Sequence, residues 1–153
     1  QPEAPEAYLR QLEEEICAPL ARREGINPKE LELAVRELVT NDVGYFKSEN
    51  MMEYALGKLL DYRRDFTDKL TAASPHELMR CCEAKSIIDY AEMHIRASMY
   101  RKETRFRHLA NYVHYRTDYP DTDPAWEKWV VIERDDDGEM TIGTCEVPEL
   151  KEA

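Results

Sequence analysis

The chain has 153 residues, of which 42% are hydrophobic and 35% are charged, and its formal net charge is −11. These values indicate a soluble acidic protein of about one domain, and no run of about 18 apolar residues predicts a transmembrane helix. The first five residues have neither the basic nor the apolar region of a secretory signal, so we predict a cytoplasmic location. Five glycines and eight prolines among long charged, leucine-bearing segments favour a mainly helical fold.

The first predicted helix covers residues 6 to 24 and ends at Gly25. Pro19 predicts a late kink in this helix. The apolar residues recur at spacings of three or four and therefore share one face: they are Leu9, Leu12, Ile16 and Leu20.

Three further helices are predicted from cap signals and apolar periodicity. Asn27-Pro28-Lys29-Glu30 is typical of an N-cap, a first-turn proline and a capping-box glutamate, and it opens the second helix. The third helix is predicted from about Ser48 to Ala73. The cap signature returns at Ser74-Pro75-His76-Glu77 and opens a fourth helix that continues to about Glu103. A helix of this length spans about 40 Å, which favours an antiparallel three-helix bundle with Ile88 and Ile95 in its core.

The C-terminal part is predicted to be an extended arm followed by a β-hairpin. Residues 104 to 125 are polar, aromatic and interrupted by prolines, and Asp135-Asp136-Asp137-Gly138 separates two alternating segments. An isolated two-stranded hairpin is marginally stable in water, so we expect this one to rest on another surface. The predicted organisation is a lead-in helix over residues 1–25, a helical bundle over 26–105, and the arm with the hairpin over 106–153.

Positive charge is concentrated in residues 94 to 116, which we call the basic island. It contains six Lys or Arg residues against one acid, Glu103, in a protein whose flanking segments are acidic. The acidic flanks would repel a nucleic acid backbone, so a carboxylate, a phosphate-bearing ligand or an acidic protein surface is the expected partner. The alternative is that these arginines pair with acids of the same chain.

The sequence predicts no catalytic, cofactor-binding or metal-ligating residue within the chain. Its glycines form neither a G-x-G-x-x-G fingerprint nor a P-loop, and its histidines lack the spacing of a metal site. The cysteines also lack zinc-site spacing, and we interpret them as reduced thiols: they are Cys17, Cys81, Cys82 and Cys145.

Two neighbouring segments carry a family resemblance. Arg101-Lys102-Glu103-Thr104-Arg105 is followed by His114-Tyr115-Arg116-Thr117-Asp118-Tyr119-Pro120 and then by Asp123-Pro124-Ala125-Trp126. This order resembles R-x-E-S-R followed by H-x-R-x-D-x-P in the C-terminal helical domain of the flavoprotein subunits of fumarate reductase, succinate dehydrogenase and adenylylsulfate (APS) reductase. The segments around Asn27-Pro28-Lys29-Glu30 and His76-Glu77-Leu78-Met79-Arg80 are most similar to the APS reductase α subunit.

The resemblance implies a helical bundle, an arm and a strand pair that support FAD-binding and capping domains of the same subunit. FAD would be bound by those domains and not by this segment, an iron-sulfur electron-transfer subunit is an implied partner, and the segment alone is expected to be inactive. Six residues match the motifs and are candidates for an inter-domain or substrate-proximal role: Arg101, Glu103, Arg105, His114, Arg116 and Asp118.

This chain departs from the family pattern within the motif region. Thr104 replaces the usual serine, and Phe106-Arg107 replaces a glycine-containing turn. About six extra residues separate the two halves of the motif if His114 is the family histidine. The alternative is that His108 is the family histidine. We expect Arg105 and Arg116 to be exposed and to meet groups of a neighbouring domain. Neutralising either would then cost the isolated chain only about 0 to 1 kcal/mol. The alternative function is a free-standing helical protein-protein interaction module.

Overall fold

The computed structural model describes residues 5–105 and 114–148. Four α-helices lie in this part of the chain: α1 (Glu6–Ala21), α2 (Pro28–Asp42), α3 (Glu49–Phe66) and α4 (Pro75–Tyr100). Two antiparallel strands follow, β1 (Lys128–Arg134) and β2 (Met140–Glu146), paired in a register that sets Val131 opposite Gly143. The predicted mainly α class with a C-terminal hairpin is confirmed. No helix in the described ranges is both long and apolar enough to cross a membrane.

Local cap chemistry sets the starts of two helices. The Asn27 side chain accepts a hydrogen bond from the Lys29 amide at 2.9 Å at the start of α2. At the start of α4, the Ser74 hydroxyl accepts from the Glu77 amide at 3.2 Å, and the Glu77 carboxylate accepts from the Ala73 amide at 2.6 Å. These bonds satisfy amides that have no partner within the helix.

Helices α3 and α4 end earlier than predicted. Helix α3 stops at Phe66 and continues as a short 3-10 helix, Thr67–Lys69, because the following backbone pairs elsewhere. The Lys69 carbonyl accepts from the Ile26 amide at 2.8 Å, and the Thr71 amide donates to the Ile26 carbonyl at 3.1 Å. Helix α4 stops at Tyr100, three residues before the predicted end at Glu103. The chain leaves the helix there, and Glu103 pairs with Arg101 and Arg105.

The chain divides into two compact units. The first comprises Gln1–Glu37 and Leu59–Tyr90, and the second comprises Leu38–Lys58 and Ala91–Ala153. The first unit buries apolar side chains that include Val35, Leu59 and Ile88, whereas the second buries a set that includes Met52 and Ile95. Ile88 and Ile95 are 1% and 0% exposed, so their predicted core positions are confirmed. The predicted domain boundaries at residues 25 and 105 stay a prediction.

Two elements leave apolar surface uncovered. Helix α1 buries only Pro19, while Leu9, Ile16 and Leu20 of its apolar face are all exposed. No residue of β1 or β2 is buried. The hairpin turn itself is well formed, since the Gly138 amide donates to the Asp135 carbonyl at 3.0 Å and Gly138 adopts the positive φ of 86° that favours glycine. The apolar face of α1 and the hairpin are therefore formed but not covered by the described chain.

Candidate functional site

The motif residues lie in the second unit, where Glu103 is the centre of the first cluster. The Glu103 side chain is fully buried, and its Oε1 accepts hydrogen bonds from Arg101 Nη1 and Arg105 Nε, each at 2.5 Å. Its Oε2 accepts from the backbone amide of Asp123 at 3.0 Å. A buried carboxylate is costly unless it is paired and hydrogen-bonded, and here both of its oxygens are.

Arg101 connects the end of α4 to the start of the hairpin. Its Nη1 also donates to the Trp126 carbonyl at 2.9 Å, and its Nη2 donates to the Lys128 carbonyl at 2.5 Å. The guanidinium carbon lies 5.6 Å from the centre of the Trp126 ring, within the range of a cation–π contact. Arg101 therefore positions the first residues of β1 against the first cluster.

Arg116 is the centre of the second cluster, and its side chain is fully buried. Its Nε and Nη2 bind both oxygens of Asp118, at 2.8 and 2.7 Å, and Nη2 also donates to Glu49 at 2.5 Å. Its Nη1 donates to the carbonyls of Ser98 and Met99 at 2.9 and 3.1 Å, which lie in the last turn of α4. The expectation that Arg116 is exposed is wrong, because carboxylates and helix-end carbonyls of the same unit surround it.

The charges of the second cluster shift its pKa values. Burial alone would lower the pKa of Arg116, but the hydrogen bonds to Asp118 and Glu49 raise it above its ordinary value. The hydrogen bonds from Arg116 hold the pKa of the Asp118 carboxyl at about 2. Arg116 and Asp118 are therefore both ionised at neutral pH.

The Thr104 hydroxyl joins the two motif segments. It is fully buried, accepts from the Arg116 amide at 3.0 Å, and donates to the Tyr119 carbonyl at 2.8 Å. Both bonds need a hydroxyl group and neither needs the extra methyl, so a serine could make them equally well. Thr104 therefore makes the hydrogen bonds that a serine at this position could make.

His114 is buried beside the first cluster and is neutral at pH 7. Its Nε2 lies 3.0 Å from the Arg101 carbonyl, so the neutral ring donates its proton there. The pKa of His114 is lowered to about 4, mainly by burial and also by the charges of Lys47, Arg116 and Arg101, while the hydrogen bond to the Arg101 carbonyl opposes this shift. A neutral, fixed imidazole positions the Arg101 backbone and is not poised for proton transfer near pH 7.

An open pocket of about 590 Å³ lies beside the first cluster. Its lining includes the cationic side chains of Arg101, Arg105 and Lys128 and the rings of Trp126 and Trp129. Within the described ranges, Arg105 Nη2 is a buried nitrogen that has no hydrogen-bond partner. A buried donor without an acceptor costs about 1 to 3 kcal/mol, so its position in a folded protein calls for an explanation.

A comparison of sequences decides the family. The family described as "Fumarate reductase flavoprotein C-term" matches residues 32–151, which is most of the chain. The chain belongs to this family. The alternative of a free-standing helical protein-protein interaction module is not better supported.

One sequence relative and two solved structures are similar to this chain. The chain is 26% identical over 125 residues to a polypeptide of the fumarate reductase (CoM/CoB) of Methanothermobacter marburgensis, which covers 80% of this chain and 22% of that protein. The fold of the present chain is similar to that of a chain in the Mycobacterium smegmatis Sdh1 complex in the apo form, with a TM-score of 0.78 and 22% identity. This match covers 97% of the present chain and 26% of the other chain. A chain of Escherichia coli quinol fumarate reductase FrdA gives a TM-score of 0.76 at 17% identity, with coverage of 99% and 27%. The chain thus spans about a quarter of the length of these relatives, and the finer likeness to APS reductase stays a prediction.

The structure brings all six predicted site residues of this family member into two adjacent clusters joined by Thr104. Sequence reasoning missed Glu49, which lies 67 residues before Arg116 and carries no motif signal. It also missed the roles of Lys128 and Trp129 in lining the pocket. Phe106, Arg107 and His108 lie outside the described residues, so the choice between His108 and His114 as the family histidine stays a prediction.

Proposed function

We propose that this chain is the C-terminal portion of a FAD-dependent oxidoreductase subunit, in which it supports the FAD-binding and capping domains and is not catalytic alone. The observation that carries the proposal is the family match over residues 32–151, combined with the chain's coverage of only 22% of a related fumarate reductase polypeptide. The same proposal includes an iron-sulfur electron-transfer partner.

The glycines of this chain do not fit a flavin cofactor. Flavin and nicotinamide dinucleotides need a glycine-rich turn that lets backbone amides approach the pyrophosphate. A Cβ at Gly25 would lie 2.2 Å from the Lys69 carbonyl oxygen, and one at Gly44 would lie 2.4 Å from the Thr40 carbonyl oxygen, so these two positions are filled by the protein's own backbone. Within the described ranges, the remaining glycines are single residues with open space around them. FAD therefore belongs to another part of the proposed subunit.

The uncovered apolar surface supports the proposed domain contact. Ile16 is 51% exposed on the apolar face of α1, and both strands of the hairpin lack a buried residue. Contiguous exposed apolar surface commonly marks an interaction site. In the proposed subunit, the FAD-binding and capping domains cover the face of α1 and the hairpin.

Flavin content tests the proposal. We expect the purified 153-residue chain to be colourless and the full-length polypeptide that contains it to carry one flavin per chain, measured by the visible absorbance of the flavin after denaturation. Stoichiometric flavin in the chain alone, or none in the full-length polypeptide, would contradict the proposal.

A pair of variants tests the domain contact. Ile16→Glu should leave the stability of the 153-residue chain unchanged, because the side chain is already half exposed, but it should weaken flavin retention in the full-length polypeptide. Glu14→Gln, at an exposed position of the same helix, is the matched control and should have no effect on either quantity. Equal flavin retention in both variants would remove α1 from the proposed contact.

A further inference from the structure

We propose that the pocket beside the first cluster is a carboxylate-binding site, with Arg105 as the main ligand-binding residue. The family match identifies no ligand for this pocket. The inference goes beyond the proposed function, because it concerns a site formed by the second unit of this chain alone.

The charge balance of the pocket favours an anion. Arg101, Arg105 and Lys128 line it, whereas Glu127 is the one acidic residue among the described residues of the lining. The carboxylate of Glu103 is already bound by both arginines and by a backbone amide, so it neutralises only part of their charge. With Glu103 and Glu127 counted, three cations face two carboxylates, which leaves one positive charge apart from the exposed contact of Lys128 with Glu146.

The geometry of Arg105 favours a carboxylate as that group. Its Nε is fixed by Glu103, which holds the guanidinium plane in place, while Nη2 has no acceptor within residues 5–105 and 114–148. The side chain lines the pocket and keeps 25% of its surface exposed, while Nη2 itself is buried, so a carboxylate that reaches Nη2 has to move the groups that cover it. A planar fork with one free edge matches a planar oxyanion, and such charge-assisted bonds are stronger than neutral ones.

The other walls of the pocket define the rest of the ligand. Trp126, Trp129 and Val147 supply apolar surface next to the cations. Lys128 adds an ammonium group that pairs with Glu146 at 3.2 Å on an exposed surface, a contact that is weak and easily exchanged. A carboxylate on a short apolar stem satisfies both kinds of wall. This chemistry occurs in a free carboxylic acid and in an acidic side chain of another part of the polypeptide.

The chain has two tryptophans, and both line the pocket, so their fluorescence reports on this site. The test is a titration of the folded 153-residue chain with sodium butyrate at constant ionic strength, with neutral butyramide as the control ligand. We expect a saturable change in tryptophan fluorescence with butyrate and none with butyramide. The absence of a saturable change, or the same change with both compounds, would overturn the proposal.

Variants then assign the binding to the named residues. Arg105→Gln should weaken butyrate binding at least about tenfold, the loss typical of a charge-assisted hydrogen bond. Lys128→Gln should weaken butyrate binding a few-fold. The Lys128 side chain holds no buried group, so this variant tests the pocket even if Arg105→Gln fails to fold. Arg134→Gln, an exposed arginine of the same hairpin, is the matched control and should bind as the parent chain does. Unchanged binding in both pocket variants would overturn the assignment.

The full-length polypeptide distinguishes the two sources of the carboxylate. A full-length variant lacking Trp126 and Trp129 is titrated in the same way, and its signal is subtracted as the background from other tryptophans. If butyrate still changes the remaining fluorescence of the full-length polypeptide, the ligand is a free acid. If butyrate no longer binds, an acidic side chain of the polypeptide fills the pocket. Neither result depends on flavin content, so failure of this site and failure of the proposed function are measured separately.

Discussion

Replacing Arg116 tests whether the second cluster stabilises the fold. Arg116→Gln removes a fully buried guanidinium whose nitrogens make five hydrogen bonds, three to carboxylates and two to carbonyls at the end of α4. Breaking a buried ion pair by removing one partner typically costs about 3 to 5 kcal/mol. Glu49 and Asp118 keep 34% and 29% of their side-chain surface exposed and can be rehydrated, so we expect the lower end, about 3 kcal/mol.

The assay is urea unfolding followed by circular dichroism. With a urea dependence of about 1 to 3 kcal/mol per molar, a loss of about 3 kcal/mol lowers the midpoint by roughly 1 to 3 M. Arg116→Lys keeps the charge but cannot bind both oxygens of Asp118 in the same plane, so its midpoint should lie between those of the parent and of Arg116→Gln.

Arg64 is the matched control, because it also binds two aspartates, Asp61 and Asp65, each at 2.8 Å. Its side chain is 67% exposed, so solvent screens both pairs, and Arg64→Gln should leave the midpoint unchanged. A shift in Arg116→Gln no larger than that in Arg64→Gln would refute the argument that burial makes Arg116 a stabilising residue.

Three further predictions concern the folded chain. The free energy of unfolding should fall as the pH falls from about 6.5 towards 4, because His114 becomes protonated in the unfolded chain but stays neutral in the folded chain, where its pKa is about 4. The full effect is about 3 kcal/mol. His114→Gln should flatten this part of the pH profile of the unfolding free energy. Ile88→Ala and Ile95→Ala should each cost about 2 to 5 kcal/mol in urea unfolding, and an unchanged midpoint in both would reject their core positions. Gly25→Ala should lower the melting temperature, because its Cβ would overlap the Lys69 carbonyl, whereas Gly57→Ala in open space on helix α3 should not.

Helix starts could be predicted from the sequence because their chemistry is local. The side chains of Asn27 and Ser74 cap amides two and three residues away, so the signal and its effect lie in the same short segment. Helix ends could not be predicted in this way. Helix α3 ends where the backbone of residues 69 and 71 pairs with Ile26, more than 40 residues earlier, and no local residue indicates this partner.

The same distinction applies to the candidate site. Glu103 binds arginines two residues before and after it, and Arg116 binds Asp118 two residues later, so these pairs follow from motif spacing. Glu49 and the carbonyls at the end of α4 come from remote parts of the sequence. A count of charges over residues 94 to 116 therefore suggested exposed arginines, although two of the acids that neutralise Arg116 lie outside that window.

The two motif arginines 105 and 116 consequently differ in what they can do, although the sequence presents them as equivalent. Arg116 uses all its nitrogens within its own unit, so an external carboxylate would have to displace an existing partner and would gain little. Arg105 has one nitrogen fixed by Glu103 and another without an acceptor in the described chain. A carboxylate that binds there supplies the missing acceptor and removes the cost of an unpaired buried donor. If the basic island contacts a ligand or a neighbouring domain, the free energy of that contact should therefore depend on Arg105, whereas the loss of Arg116 should be measured in the stability of the chain itself.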